Sequence, residues 1–528
     1  MSHLRVAVAL IAILALAVAV PAVISPSAQA QTTIRIGGLL PLTGDLQSYG
    51  VRAQAAVEVA VESVNAFLEE QNAWFRFELV VEDTQTKPDV AVSKYNSLVA
   101  QGIKFIVGPM TSAEVKKLKD LATQQNVLLI SPSSTAIELA IPGDNVFRFC
   151  PADDVQSQAV ASLLRDFGIS GVVMINRADT WGEGLKNAIV ERLDALNIEV
   201  RNVYSYNPES PDFPGIAAQA NSDVEELIAK YGANKVAVIA IGFSEIVSLF
   251  SEASAYPTLS KVFWVGSDGT ANLAEFLKDP IASSFAESTL FINPIFSPAR
   301  TSVQEKVIEA VKAKIGEEPD AYAMAAHDAV WALALAFLQV GPTDDVDELV
   351  NKAKELIPQI VESDEFAQFA ATGKFPLNDA GDRATADYDW WIIRGGEWVK
   401  VGVYKGIEDA NEWIQLPEGE TFPELVKETF QIQPVETPRE PVETTPMETT
   451  PEQTTPSPTE TTPEESPTPA ATEERAAEKT TPPPTTPEPA ETPEETSPAE
   501  EEGISGTIVA AVIVLIIIAV AAALLLRR

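Results

Sequence analysis

Short apolar runs alternate with longer amphipathic stretches between residues 34 and 340, and this alternation restricts the fold more than any other feature of the chain. The longer stretches have apolar residues three and four positions apart, as on one face of a helix. The short runs are apolar throughout, which is typical of strands covered on both faces of a parallel sheet. The predicted strands are 34–40, 77–82, 105–108, 127–130, 172–176, 236–241 and 262–265.

The alternating region is too long for one sheet of ordinary size, so we expect two α/β lobes. Further along, residues 389–393 and 397–401 flank Gly395 and Gly396, a pattern that predicts a hairpin. Open parallel sheets bind ligands beyond the carboxyl ends of their strands. Two facing lobes therefore predict a binding site for a small molecule in the cleft between them.

The composition excludes several kinds of site. Among the 528 residues, 76 acidic residues exceed 37 basic ones, giving a net charge of -39 that disfavours nucleic-acid binding. The single cysteine, Cys150, cannot form an intrachain disulfide. With only two histidines, His3 and His327, the chain lacks the ligands of a usual zinc site, and we expect no metal and no cofactor.

The first 30 residues have the composition of a secretory signal. Arg5 precedes an apolar run at 6–24, and the small residues Ala28 and Ala30 form a cleavage site. We expect a signal peptide at 1–30, cleaved after Ala30. The alternative is an uncleaved N-terminal anchor, since the apolar run is long.

The C-terminal region predicts a tether. Residues 433–503 are rich in Pro, Thr, Glu and Ser and cannot bury enough apolar surface to fold, so we expect a disordered stalk. The uncharged run 504–526 is long enough for a transmembrane helix. Two arginines, 527–528, follow it, and positive residues prefer the cytoplasmic side. The folded part is therefore expected outside the cell, attached by a single pass, and dependent on another protein to act inside.

A series of short motifs resembles, in order, the periplasmic solute-binding proteins of branched-chain amino acid ABC transporters. Each motif is weak alone, but the ordered series across 34–404 is specific. The motifs are IRIG at 34–37, PLTG at 41–44, YG at 49–50, VVED at 80–83, IVGP at 106–109, LISPSST at 129–135, NVFR at 145–148, WGEG at 181–184, VGSDG at 265–269, AYA at 321–323 and DAV at 328–330.

This resemblance implies an α/β type I periplasmic-binding-protein fold: two doubly wound parallel-sheet lobes joined by three crossovers, with a binding domain at 31–430. It places the first lobe at about 34–151 and 296–373, and the second at about 152–290 and 374–430. In that family, hydroxyls and backbone amides of the first lobe hold the ligand's carboxylate, and an acidic residue of the second lobe holds its ammonium.

By this resemblance, hydroxyl residues of the first lobe are candidates for carboxylate binding. Ser112 lies at a predicted helix start, where N–H groups and the helix dipole favour an anion. Ser133, Ser134 and Thr135 follow a predicted strand, with Ser133 contributing mainly through its backbone. The alternative for both groups is plain helix capping, a common role of Ser and Thr.

Asp268 matches the family position that meets the ammonium. A buried carboxylate needs such a partner, whereas an Asp before a Gly is also common in turns. Four aromatic residues match cleft positions, where they would give apolar contact and cation–π attraction, with core packing as the alternative. Trp181 is bulky enough to shrink the pocket or stack on a planar ligand. The four residues are Tyr49, Trp181, Phe243 and Tyr322.

The histidine and cysteine of the expected folded part, His327 and Cys150, give no indication of an enzyme active site. His327 lies in an apolar helical stretch and Cys150 in a strand-like run, so both are predicted structural. No nucleophile elbow or phosphate-binding loop occurs. We expect a membrane-anchored extracellular solute-binding protein that delivers an amino acid, or a similar small polar metabolite, to ABC permease subunits. The alternatives are a sensor acting through a partner membrane protein and, less favoured, a surface hydrolase. Retention at the surface fits a single-membrane prokaryote such as an archaeon.

Overall fold

The computed structural model describes residues 31–431. The predicted signal at 1–30, the stalk at 433–503, the transmembrane helix at 504–526 and the tail at 527–528 lie outside the described residues.

The first lobe is built on a six-stranded parallel sheet with the order β11-β5-β4-β3-β1-β2. Strands β3, β4 and β5 are buried along their whole length and β1 over its last five residues, because helices cover both faces of the sheet. The strands are β1 (Thr32–Leu40), β2 (Phe75–Asp83), β3 (Phe105–Val107), β4 (Leu128–Ser131), β5 (Val146–Pro151) and β11 (Asp382–Arg383).

The second lobe contains a parallel sheet with the order β7-β6-β8-β9. Its strands are β6 (Gly171–Arg177), β7 (Glu199–Tyr206), β8 (Val236–Ile241) and β9 (Phe263–Val265). A separate antiparallel sheet has the order β10-β12-β13-β14. Its strands are β10 (Asn293–Ser297), β12 (Asp387–Arg394), β13 (Glu397–Lys405) and β14 (Ala410–Trp413). The predicted hairpin is present as β12 and β13, but it belongs to a sheet that the pattern did not predict.

Thirteen α-helices accompany these strands in the described region. They are α1 (Gln47–Glu70), α2 (Pro88–Ala100), α3 (Ser112–Gln124), α4 (Asp153–Asp166), α5 (Thr180–Ala195), α6 (Phe213–Tyr231), α7 (Ile246–Ala253), α8 (Ala274–Lys278), α9 (Pro280–Ser288), α10 (Ser302–Ile315), α11 (Ala321–Val340), α12 (Val346–Val361) and α13 (Phe422–Phe430). Helices α10 to α12 pack in the first lobe although they follow the second lobe in sequence.

The chain passes between the lobes three times, after β5, β10 and β11, which agrees with the expected three crossovers. The lobe boundaries differ in detail from the expected ones. Strand β10 at 293–297 pairs within the second lobe, and β11 at 382–383 pairs with β5 in the first. The first lobe thus extends past residue 373. Strand β11 is held against β5 by strand pairing and by the ion pair between Asp382 and Arg148.

Helix α11 forms the centre of the first lobe's core. It is the one helix of the described region that is long and apolar enough to span a membrane, but 83% of its most apolar window is buried in the protein. Its Phe337 packs edge-on against Phe77 and Phe105 with ring centroids 5.6 Å and 4.7 Å away. Helix α11 is therefore a core helix that carries residues of its first turn to the edge of the cleft.

Candidate functional site

A pocket lies between the two lobes, at the carboxyl ends of strands from both parallel sheets. The space free of protein atoms there is about 340 Å³, its mouth included. Seven of the nine predicted site residues line it. The lining consists of Leu46, Tyr49, Met110, Thr111, Ser112, Ser133, Trp181, Phe243, Asp268, Gly269 and Tyr322.

The first-lobe wall is the N-terminal end of α3. Thr111 caps this helix: its Oγ1 accepts from Glu114 N at 3.2 Å, and the Glu114 carboxylate accepts from Thr111 N at 3.1 Å. The alternative that Ser112 is the cap is therefore wrong. The capping box leaves the N–H groups of Ser112 and Ala113 without intrahelical acceptors, as the first turn of any helix does. This end of α3 is suited to an anion.

The hydroxyl groups near this helix end are held by the loop after β4. Ser133 Oγ donates to Met110 O at 2.8 Å, and Ser112 Oγ accepts from Ala136 N at 3.1 Å. Both side chains keep further hydrogen-bonding capacity toward the pocket, because a hydroxyl both donates and accepts.

The second-lobe wall contains Asp268, in the loop after β9, with only 3% of its surface exposed. Tyr322 Oη donates to its Oδ2 at 2.5 Å, and its own N–H donates to Gln156 Oε1 at 2.9 Å. Its other oxygen, Oδ1, is buried without a hydrogen-bond partner among the described residues. A buried carboxylate oxygen left open in this way is suited to a donor or cation from a ligand.

Burial sets the charge state of this wall. It raises the pKa of Asp268 to about 6, although the hydrogen bond from Tyr322 opposes the shift. Burial, followed by the charge of Asp268, raises the pKa of Asp153 well above its usual range. Gln156 joins the two acids by donating to Asp153 Oδ1 at 3.1 Å. We expect Asp153 to stay protonated and Asp268 to carry the negative charge at neutral pH.

The four predicted aromatic residues all line the pocket. Trp181 and Phe243 stack with centroids 4.8 Å apart and planes 15° apart. Tyr49 and Tyr322 lie with centroids 6.0 Å apart, and Tyr49 Oη donates to Asp268 O at 2.9 Å. The aromatic walls would exclude water around a ligand and place π faces next to a cation.

Several polar contacts join the lobes around the pocket. Arg177 of the second lobe pairs with Glu245 at 2.7 Å and reaches Asp45 of the first lobe at 3.6 Å. Ser244 N donates to Asp45 O at 3.3 Å, and the hydroxyl of Ser48 contacts the Glu275 carboxylate at 2.5 Å. The lobes are therefore closed over the pocket in this structure.

Two predicted residues lie outside the pocket lining. Ser134 and Thr135 are buried, and their hydroxyl oxygens have no hydrogen-bond partner among the described residues. Ser134 N donates to Ser131 Oγ at 3.2 Å, which turns the chain so that only Ser133 faces the pocket. The carboxylate-binding role of Ser134 and Thr135 stays a prediction without support from the pocket geometry.

Four lining residues were not predicted: Leu46, Met110, Thr111 and Gly269. Only Thr111 had a clear signal, since Thr111 and Glu114 have capping-box spacing. Gly269 is required by space, because an added Cβ would lie 2.6 Å from Gly242 O and 2.7 Å from the Trp181 ring. Leu46 and Met110 follow motifs, but the sequence does not reveal the directions of their side chains.

The two residues predicted to be structural are buried away from the pocket. His327 Nδ1 lies 2.9 Å from Asp328 Oδ1, and Cys150 lies in β5 with Sγ 3.4 Å from Ser134 O. Burial raises the pKa of the Cys150 thiol, which makes it a poor nucleophile. Within residues 31–431, no cluster of three or more His, Cys, Asp or Glu side chains is arranged to hold a metal ion.

The fold and pocket define a two-lobed α/β ligand-binding protein, in which the N-terminal end of a helix lines the pocket from one lobe and a buried carboxylate lines it from the other. A profile of the periplasmic binding protein family matches residues 33–375. The chain belongs to this family, whose members bind solutes and are not enzymes.

Two curated relatives and one solved structure illustrate the likeness. An uncharacterised protein of Methanocaldococcus jannaschii is 33% identical, with 73% of this chain and 93% of the relative covered. A Leu/Ile/Val-binding protein of Rhizobium johnstonii is 26% identical, with 70% and 94% covered. The crystal structure of a branched-chain amino acid transporter substrate-binding protein from Streptococcus pneumoniae, in complex with isoleucine, has a TM-score of 0.57 at 20% identity, with 73% and 99% covered. That structure supports the fold.

Proposed function

We propose that this protein is the solute-binding component of an ABC importer and that it captures an amino acid of the branched-chain type, or a closely related small polar metabolite, in the interlobe pocket. The open Oδ1 of buried Asp268 is the main support for this proposal. It lies in the same pocket as the N-terminal end of α3, so the two ends of a zwitterion have complementary partners on opposite lobes.

The proposed roles follow from these contacts. The hydroxyl of Ser112 and the N–H groups at the start of α3 would hold the carboxylate, with Ser133 beside them. Asp268 would accept from the ammonium, and Tyr49, Trp181, Phe243 and Tyr322 would enclose the side chain. The names of relatives that bind leucine, isoleucine and valine support the branched-chain class.

Calorimetric titration of the full-length protein in detergent with leucine, isoleucine, valine and 4-methylpentanoate tests these roles. The last compound keeps leucine's carboxylate and branched chain but lacks the ammonium. We expect saturable binding of at least one of the amino acids and not of 4-methylpentanoate. Asp268→Asn should weaken amino-acid binding roughly 30-fold or more, since losing one partner of a buried charge pair costs about 2–5 kcal/mol.

Asp89→Asn is the matched control, because the Asp89 side chain is 93% exposed on α2. Equal affinity of wild-type protein and Asp268→Asn for an amino acid would contradict the role of Asp268. Binding of 4-methylpentanoate alone would instead indicate a carboxylic-acid ligand without an ammonium.

We also propose that the apolar run 504–526 anchors the protein and that the stalk 433–503 lets the binding domain reach its permease. The length and lack of charge of the run support a spanning helix. Deletion of 504–528 should release the protein from membranes into the medium. Protein that stays in the membrane fraction after the deletion would contradict anchoring by this segment.

A further inference from the structure

A second cavity lies where two of the three crossovers meet, away from the interlobe pocket. Segments 297–300, 372–376 and 383–387 line it, together with side chains of β13. The space free of protein atoms is about 870 Å³, its mouth included. Because the crossovers join the lobes, we call this space the hinge cavity.

The hinge cavity is rich in positive charge although the chain as a whole is acidic. Five cationic side chains line it: Arg300, Lys374, Arg383, Lys400 and Lys405. The three lysines pair with Asp364, Asp389 and Asp387 at 2.6, 2.5 and 2.6 Å. Within residues 31–431, no carboxylate lies within 4.0 Å of a cationic nitrogen of either arginine. Five cations and three paired carboxylates leave an excess of two positive charges.

Arg383 differs from the other four cations of the hinge cavity because it is buried. Only 6% of its surface is exposed, yet its guanidinium has no ion-pair partner in the described region. It donates to Phe149 O and Thr372 O at 3.4 Å and 3.3 Å, which are long hydrogen bonds. Its Cζ lies 3.9 Å from the Phe375 ring centroid and 5.3 Å from that of Phe296.

The nearest buried acid does not neutralise Arg383 directly. The oxygens of Asp328 accept from Ala371 N at 2.7 Å and from Thr372 N at 2.8 Å. Burial lowers the pKa of Arg383 to about 10, with the charge of Asp328 opposing the shift, so the side chain remains cationic at neutral pH. A buried, unpaired guanidinium is costly to the fold and has a strong tendency to bind an anion.

We propose that the hinge cavity is a binding site for a small anion carrying phosphate, sulfate or carboxylate groups, with Arg383 as its buried anchor and Arg300 at its mouth. The planar guanidinium suits such groups, because its parallel N–H donors match two oxygens at once. Two rings that hold the guanidinium keep it pre-oriented.

Thermal unfolding and calorimetry of the full-length protein in detergent test the site, with sodium phosphate, sulfate or citrate replacing sodium chloride at constant ionic strength. We expect a saturable response to at least one of these anions, and the order of their affinities distinguishes the phosphate, sulfate and carboxylate classes. Arg383→Met should abolish that response. Arg300→Gln should weaken the affinity at least threefold.

Arg76→Gln is the matched control, since Arg76 is exposed on β2 and this substitution removes one positive charge, as Arg300→Gln does. Its response should equal that of the wild-type protein. If circular dichroism shows that Arg383→Met does not fold, Arg300→Gln decides the outcome, because its side chain is exposed and its loss should not disturb packing. An unchanged affinity in Arg300→Gln and in any folded Arg383→Met, or no saturable response to any of the three anions, would overturn the proposal.

Discussion

The hydroxyl of Tyr322 donates a hydrogen bond of 2.5 Å to Oδ2 of Asp268 and so joins helix α11 of the first lobe to the loop after β9 of the second. This bond uses one carboxylate oxygen, while Oδ1 remains open and buried. Because the contact links the two lobes, we expect it to break when they separate. The acid proposed to bind the ligand is thus oriented by a side chain from the opposite lobe, so closure completes the site.

Tyr322→Phe should weaken amino-acid binding at least about tenfold at pH 7, because a hydrogen bond to a charged group contributes about 1.5–3 kcal/mol. The bond favours the charged form of Asp268, so its loss raises the pKa of that carboxyl above about 6. Binding should then fall off at a higher pH than in the wild-type protein. Calorimetric titrations from pH 5 to 8 measure both effects.

Tyr95→Phe is the control for loss of a buried hydroxyl. Tyr95 lies on α2 and is not part of the pocket lining, and its Oη donates to Gln125 Oε1 at 3.1 Å. The pH profile of binding should be that of the wild-type protein. An unshifted profile in Tyr322→Phe would show that Tyr322 does not tune Asp268.

Asp268→Asn should stabilise the ligand-free protein above pH 6 while it impairs binding. Burial raises the pKa of Asp268 from 3.8 to about 6, so between these two pH values the folded state holds the proton more tightly than the unfolded state. The wild-type protein therefore loses stability as the pH rises from 3.8 to about 6, by on the order of 1–3 kcal/mol. Urea unfolding at pH 4 and pH 8 should show no gain for the variant at pH 4 and a gain at pH 8. A gain of equal size at both values would mean that the charge of Asp268 is not its cause.

Asp382→Ala should destabilise the first lobe strongly. Asp382 accepts from Arg148 Nε at 2.5 Å and from Nη2 at 2.6 Å, and both side chains are 1% exposed. Removing one partner leaves the other charge buried, at a cost of about 3–5 kcal/mol. Thermal unfolding should shift down by several degrees. The double variant Arg148→Met with Asp382→Ala should recover part of the loss, since no charge then remains in the core.

Glu348→Ala is the comparison for an exposed pair. Glu348 contacts Lys352 at 2.7 Å on the surface of α12, where solvent screens the charges. Its unfolding midpoint should stay close to that of the wild-type protein. Similar midpoints for Asp382→Ala and Glu348→Ala would contradict a structural role for the buried pair.

Local patterns predicted most strands, and their failures have physical causes. Strand β5 contains Arg148, whose charge interrupts the apolar run. The sequence does not reveal that Arg148 is buried, because its partner Asp382 is 234 residues away. Strand β7 is half exposed and lacks a continuous apolar run. Strand β10 belongs to the antiparallel sheet, whose pairing depends on residues about 90 positions later, such as Asp389 opposite Ile295.

Most residues of the pocket could be predicted from the sequence, but the directions in which their side chains point could not. The ordered motifs placed Ser112, Ser133 and Asp268 together, because strand ends of both sheets meet at the cleft. They did not separate Ser133 from Ser134, since that depends on one backbone turn held by Ser131. Arg383 had no signal at all, because burial without a carboxylate partner is a property of the tertiary structure.

Gly269→Ala should disrupt the pocket, because its Cβ would lie 2.6 Å from Gly242 O, 2.7 Å from Trp181 and 2.8 Å from Phe243. The backbone carbonyl cannot move aside cheaply, so we expect the stacked rings to shift and ligand affinity to fall at least tenfold, with about 1–3 kcal/mol lost in stability as typical of overpacking. Gly184→Ala is the matched control: its Cβ would meet nothing within 4 Å on α5, and alanine is about 1 kcal/mol more favourable than glycine inside a helix. Thermal unfolding should therefore move in opposite directions for the two variants, and calorimetry should show a binding defect only in Gly269→Ala. Normal affinity in Gly269→Ala would mean that the Trp181 and Phe243 wall does not contact the ligand.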